Sequence, residues 1–167
     1  MKKIIAALAL ATACLFAAQK ASAIEDPNPK GTIVAGAQVG ILPLGANVFC
    51  DYVLVDSWWK GHFTVGGMAG ISSIASHGYG YTYFDLCPRA TYGLNITDKF
   101  EVHVGALTGL EFNTFTYSDG TKDSSLHLCI GGITGCRYFF TEKLAASAEI
   151  NYAGAFPVIN AGIALKF

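Results

Sequence analysis

Charge is scarce in this chain, and long apolar runs are absent after residue 23. Only 14% of the residues are charged, although 52% are hydrophobic. Beyond residue 23 no apolar stretch reaches the ~20 residues that a membrane-spanning helix needs. That excludes helical spans from this part of the chain. Apolar content without apolar runs means that the hydrophobic side chains are dispersed, as period-two alternation disperses them. Basic residues do not outnumber acidic ones, 11 against 12. A nucleic-acid partner wants a basic face, so none is expected. The four His residues show no ligand spacing such as His-x-x-x-His, and no Gly-rich phosphate loop is present. We therefore expect no metal and no cofactor.

The first 23 residues have the parts of a signal peptide. Lys2 and Lys3 make a basic start, residues 4–18 an apolar core, and Ala21-Ser22-Ala23 a small-residue cleavage site. Cleavage after Ala23 would remove Lys2, Lys3 and Lys20 and leave an acidic excess. Two alternatives stay open. The segment could anchor the chain, although its core is short for a span. Or cleavage could fall before Cys14, where Leu10-Ala11-Thr12-Ala13-Cys14 loosely resembles a lipobox. Residues 24–30, with Pro27 and Pro29, read as a short exposed leader. One domain, residues 31–167, follows.

The last ten residues, VINAGIALKF, set the pattern for that domain. Ile159, Ala161, Ile163, Leu165 and Phe167 alternate with Asn160, Gly162 and Lys166. A period of two marks a strand with one apolar face and one polar or small face. Seven earlier segments repeat it, at about 32–41, 46–55, 61–72, 83–94, 99–112, 125–139 and 144–153. Pro88 lies inside the fourth and should bulge or bend it, because proline cannot donate to a ladder.

Eight strands of ~9–11 residues suit a tilted bilayer crossing. The predicted fold is an all-β, eight-stranded antiparallel up-and-down transmembrane β-barrel. The two longest connections, Ser73–Thr82 and Asn113–Ser124, follow strands three and five. With short turns on the periplasmic side, these two should face outward. Aromatics gather at strand ends. Trp58, Trp59, Phe100, Tyr138, Phe139 and Phe140 lie near short turns; Tyr79, Tyr81, Tyr83, Phe84, Phe112 and Phe115 lie near the long loops. Two belts are what membrane interfaces select.

Together these features resemble the small bacterial outer-membrane β-barrels of the outer-membrane protein A and X type. The likeness rests on the signal peptide, the eight alternating segments, the NITDK and FTEK turns and the terminal ALKF. It covers nearly all of the mature chain. It implies Sec export, residence in the outer-membrane lipid, and recognition of Phe167 in the last strand by the barrel-assembly machinery. We expect a monomer.

An eight-stranded barrel is filled by its own side chains. Alternation sends Asp51, Asp85, Arg89, Glu101, His103, Glu111, His127, Arg137, Glu149 and Lys166 inward. If strands five and six form a hairpin turning near Asp119, Glu101 faces Arg137 and Glu111 faces His127. These four, with Arg89 and Glu149, are the predicted lumen charge pairs. They would plug the lumen, or gate a narrow ion or small-solute pore as some related barrels are proposed to do. Enzymes that modify lipid A also occur on this fold. Ser125 and His127 share a face opposite Glu111, but that face points into the lumen rather than to acyl chains, so catalysis is not expected. Cys129 and Cys136 lie about 23 Å apart along one strand, and Cys87 and Cys129 two strand spacings or roughly 9–10 Å apart. Both distances exceed disulfide reach, so four free thiols are expected. The sequence supports a non-enzymatic barrel that contacts partners through its outer loops. A secreted soluble barrel with an oily interior is the competing architecture.

Overall fold

Alternation governs every element of the computed structural model, which describes residues 28–59, 61–76 and 79–167. Eight strands are found among these residues: β1 (Ile33–Ile41), β2 (Leu44–Trp58), β3 (Gly61–Ser76), β4 (Tyr79–Thr97), β5 (Phe100–Thr116), β6 (Lys122–Phe139), β7 (Leu144–Tyr152) and β8 (Ile159–Lys166). Each pairs antiparallel with its neighbour in sequence. β1 also pairs with β8, from Val34↔Lys166 to Ile41↔Ile159, and this closes the barrel. The signal peptide, including Cys14 and Ala23, lies outside the described residues.

The two faces of the wall separate by chemistry. Outward positions include Val39, Leu128 and Ile130, which are 68%, 78% and 78% exposed. Inward positions bury Gln38, Asp51, Arg89, Glu101, Arg137 and Glu149. Such an arrangement suits lipid outside and satisfied polar groups inside. The interior is not purely polar. Val34, Phe49, Val53, Met68, Leu107 and Ile133 are also buried there.

Several strands depart from their expected bounds. β3 to β6 run 16 to 19 residues. Most of the expected outer loops, Ser73–Thr82 and Asn113–Ser124, is therefore strand. Only residues 117–121 turn the β5–β6 hairpin. There Asp119 accepts from the backbone N–H and hydroxyl of Thr121, which hold its carboxyl below the usual range. The segments read as loops because they are polar, but their Tyr, Phe and Thr favour strands. Pro88 does not bulge β4. Leu86 pairs with Leu110 and Arg89 with Leu107, so the register is unchanged across it. The proline is exposed on the outer face, and the β4–β5 ladder merely lacks pairs at positions 87 and 88. Register shifts occur instead at Val53–Trp58 in β2 and at Asn95–Thr97 in β4.

Candidate functional site

Two regions concentrate chemistry: the lumen, and a sheet that stands above its mouth. The lumen is built around two guanidiniums. Arg89 from β4 grips Asp51 with two bonds of 2.8 Å and reaches Glu149 at 3.1 and 3.3 Å. Arg137 from β6 donates to Glu101 at 3.0 Å and to Asp51 at 2.8 Å. Asp51 thus bridges both. His103 sits between the two glutamates, its Nε2 3.0 Å from Glu149 and its Nδ1 3.6 Å from Glu101. His62 Nε2 approaches Glu101 at 3.6 Å. The Phe49 ring lies under both guanidiniums, 4.6 Å from Arg89 and 5.1 Å from Arg137. A desolvated cation over an aromatic face adds roughly 2 kcal/mol to such a cluster. All of these side chains are buried, so each charge depends on its partners rather than on water.

Buried side chains also occupy both ends of the lumen. At the end where β1 begins and β8 ends, Asn28 Nδ2 donates to Glu101 at 2.8 Å. Asn28 is fully buried, so of the expected exposed leader's described residues Pro29 and Lys30 are exposed and Asn28 is not; residues 24–27 lie outside the described residues. Nearby, Lys166 Nζ lies 5.1 Å from the Phe139 ring. At the opposite end, the segment linking β7 to β8 folds inward. Phe156 is buried, and Ser72 Oγ donates to Ala155 O at 2.6 Å. Gly70 makes room for that ring, since a Cβ there would stand 2.7 Å from it.

Above this stopper, β3 to β6 continue as a hairpin sheet. β7 pairs with β6 only from Gly132 to Phe139. Among the described residues no strand covers the far edge of β6 from Lys122 to Gly131. The concave face of the sheet, continuous with the lumen side, is aromatic. Phe115 contacts Tyr81 and Tyr117, each at 4.5 Å between centroids, and stacks on Tyr79 at 5.8 Å. Tyr81 in turn stacks on Tyr83 at 6.1 Å. Beside them, Ser125 Oγ donates to Asn113 Oδ1 at 2.6 Å and lies 2.9 Å from His127 Nε2.

Comparison with known proteins places the architecture. No protein-family model and no curated protein matches the chain. Solved structures do. Ail, the attachment invasion locus protein of Yersinia pestis, superposes with a TM-score of 0.56 at 13% identity, covering 83% of this chain and 99% of that one. Neisserial surface protein A gives 0.58 at 16% identity, covering 81% and 94%. The N-terminal β-barrel domain of Pseudomonas aeruginosa OprF gives 0.58 at 17% identity, covering 83% and 98%. The fold is that of a small transmembrane β-barrel.

Within the barrel, the residues singled out from sequence divide into two groups. Glu101, Arg137, Arg89 and Glu149 meet in one network, and Glu101 stands opposite Arg137 in register. Glu111 and His127 also stand opposite each other. However, Glu111 is half-buried against Gly154 of the stopper, His127 is exposed, and no ion pair joins them. They do not form the expected charge pair. Their register is as expected, but His127 at this height is exposed rather than buried. Alternation places Asp51 inside the lumen but does not reveal its partners at the centre of the network. Asp51 and Phe49 reach their partners across the lumen, between strands that are not neighbours, and hairpin register says nothing of such pairs.

The aromatic belts need the same correction. Trp58, Trp59, Tyr138 and Phe140 are exposed on the outer side. Phe139 is buried inside. Of the outer group, Phe84 and Phe112 share the lipid-facing side and pack at 6.2 Å. Tyr79, Tyr81, Tyr83 and Phe115 occupy the concave face instead. Alternation along β4 and β5 places them with Asp85 and Glu111, away from lipid.

Proposed function

We propose that this chain resides in a bacterial outer membrane as a closed barrel and contacts partners through the sheet above its mouth. The observation that carries the reading is the sheet's unshared surface: an uncovered β6 edge beside a concave face of Tyr79, Tyr81, Tyr83, Phe115 and Tyr117. A strand edge offers backbone donors and acceptors to an extended peptide. Rigid tyrosines supply contact area at low entropic cost. Ail is named for attachment and invasion, and one of its structures holds a heparin analogue. The sheet here has Asp119, Asp123 and Glu111 against Lys122. That balance favours a peptide or neutral surface over a sulfated one.

The role is non-enzymatic. Ser125 and His127 touch, but Asn113 takes the serine hydroxyl and Glu111 does not orient the imidazole. Ser125→Ala should leave the lipid A of expressing cells unchanged. The contact role is tested with whole cells displaying either the native chain or one whose β5–β6 hairpin is shortened by removing residues 115–123. Heat-modifiable gel migration checks that both fold. Loss of adherence to immobilised host-surface protein on shortening is the expected result; equal adherence would reject the reading.

A further inference from the structure

We propose that Cys87 and Cys129 are joined by a disulfide in the exported protein, stapling β4 to β6 across the inner face of β5. Their Sγ atoms lie 3.0 Å apart in the buried lumen. That is inside van der Waals contact and about 1 Å beyond an S–S bond of ~2.05 Å. A flat sheet would keep these strands too far apart, as the sequence suggested. Two features bring them together. The wall of an eight-stranded barrel curves strongly, so inward side chains on alternate strands converge. And the residue between them on β5 is Gly109, which pairs with Cys129. A Cβ at Gly109 would meet Leu86 O, stand 2.6 Å from Cys87 Cα and 2.8 Å from Cys87 Sγ. The glycine is the gap through which the two sulfurs meet. The β4–β5 ladder also lapses at Cys87 and Pro88, which frees the backbone beside that thiol to adjust. The remaining described cysteines take no part. Cys50 is exposed on the outer face, and Cys136 lies on that face too.

The step is thiol–disulfide exchange. A thiolate of one cysteine attacks the disulfide of a thiol oxidant and displaces one of its sulfurs as a thiol, leaving a mixed disulfide. The second cysteine attacks the protein sulfur of that bond and displaces the other. Two protein thiols lose two protons and two electrons, and the oxidant's disulfide takes them up as two thiols. Oxidising compartments outside the cytosol hold oxidants of this class. Because both sulfurs end up buried, exchange precedes closure of the barrel.

The proposal rests on export to the outer membrane, so the test begins with fractionation. The full chain is expressed in a Gram-negative host with an intact periplasmic disulfide system, and thiols are alkylated at harvest. Failure to reach the outer-membrane fraction would overturn the location and the disulfide with it. Protein from that fraction is unfolded without reductant and its alkylated thiols are mapped by mass. The expected result is labelling of Cys50 and Cys136 only, with a linked Cys87–Cys129 peptide that reductant releases. Labelling of all four mature cysteines would overturn the disulfide and leave the location standing. Gly109→Ala should largely abolish the linked peptide in protein that still shows heat-modifiable migration. Cys129→Ser should expose Cys87 to label whether or not Gly109→Ala folds. A Cys129→Ser chain with Cys87 still blocked would also reject the pairing.

Discussion

Arg137 shows what one buried residue does in this lumen. Its guanidinium holds Glu101 and Asp51 together, and Asp51 also holds Arg89. Removing one partner of such a group strands charges that water cannot reach. Arg137→Ala should therefore destabilise the folded barrel by about 3–5 kcal/mol. The urea midpoint of the heat-modifiable form measures this. Glu111→Gln is the contrasting case. Glu111 stands opposite His127 by the same register rule, but no ion pair joins them. Its unfolding free energy should stay within ~0.5 kcal/mol of native. A large loss there would put Glu111 back among the lumen charges. Much of this was legible beforehand. The Glu101–Arg137 pair follows from a hairpin turn at Asp119, because neighbouring strands fix which residues face each other. Asp51 as a hub was not legible, since β2 meets β4 and β6 only across the cavity. The Cys87–Cys129 approach was hidden for a related reason. Flat-sheet distances ignore curvature, and they ignore the missing side chain at Gly109.

At the scale of elements, alternation revealed all eight strands but not their lengths. β1, β7 and β8 are 9, 9 and 8 residues long, whereas β4 and β6 are 19 and 18. The extra length carries polar and aromatic residues that composition alone assigns to loops. Tyr79, Tyr81 and Tyr83 continue the parity of Asp85 and Arg89, so the sequence already held their face. Grouping them by position along the chain, rather than by face, turned a concave surface into a lipid belt. The β5–β6 hairpin should behave as an appendage. Residues 117–121 form an exposed turn, and exposed tips are where proteases cut. Limited proteolysis of the detergent-solubilised protein should cut there first, and the nicked product should keep the migration of the folded form until heated. First cleavage within β7 or β8 would contradict this division.

For the molecule as a whole, closure is threefold: Phe156 at the mouth, the arginine network at the centre, and Asn28 on Glu101 at the other end. A lumen filled in this way should not conduct ions. The purified barrel in a planar bilayer should show no steady conductance, and single-channel currents that Phe156→Ala or Arg137→Ala increases would favour a gated pore instead. Beneath all of this lies the orientation of the wall, with aliphatic residues outward and charges inward. The most direct test replaces Trp58 and Trp59 with Phe and places one new tryptophan at Val104, an outward position in mid-wall that is 41% exposed. The protein is reconstituted in bilayers whose acyl chains carry bromine, which quenches only indoles in the hydrocarbon. Strong quenching of Val104→Trp is the predicted result; unchanged fluorescence, from a protein that stays soluble without detergent, would contradict the account.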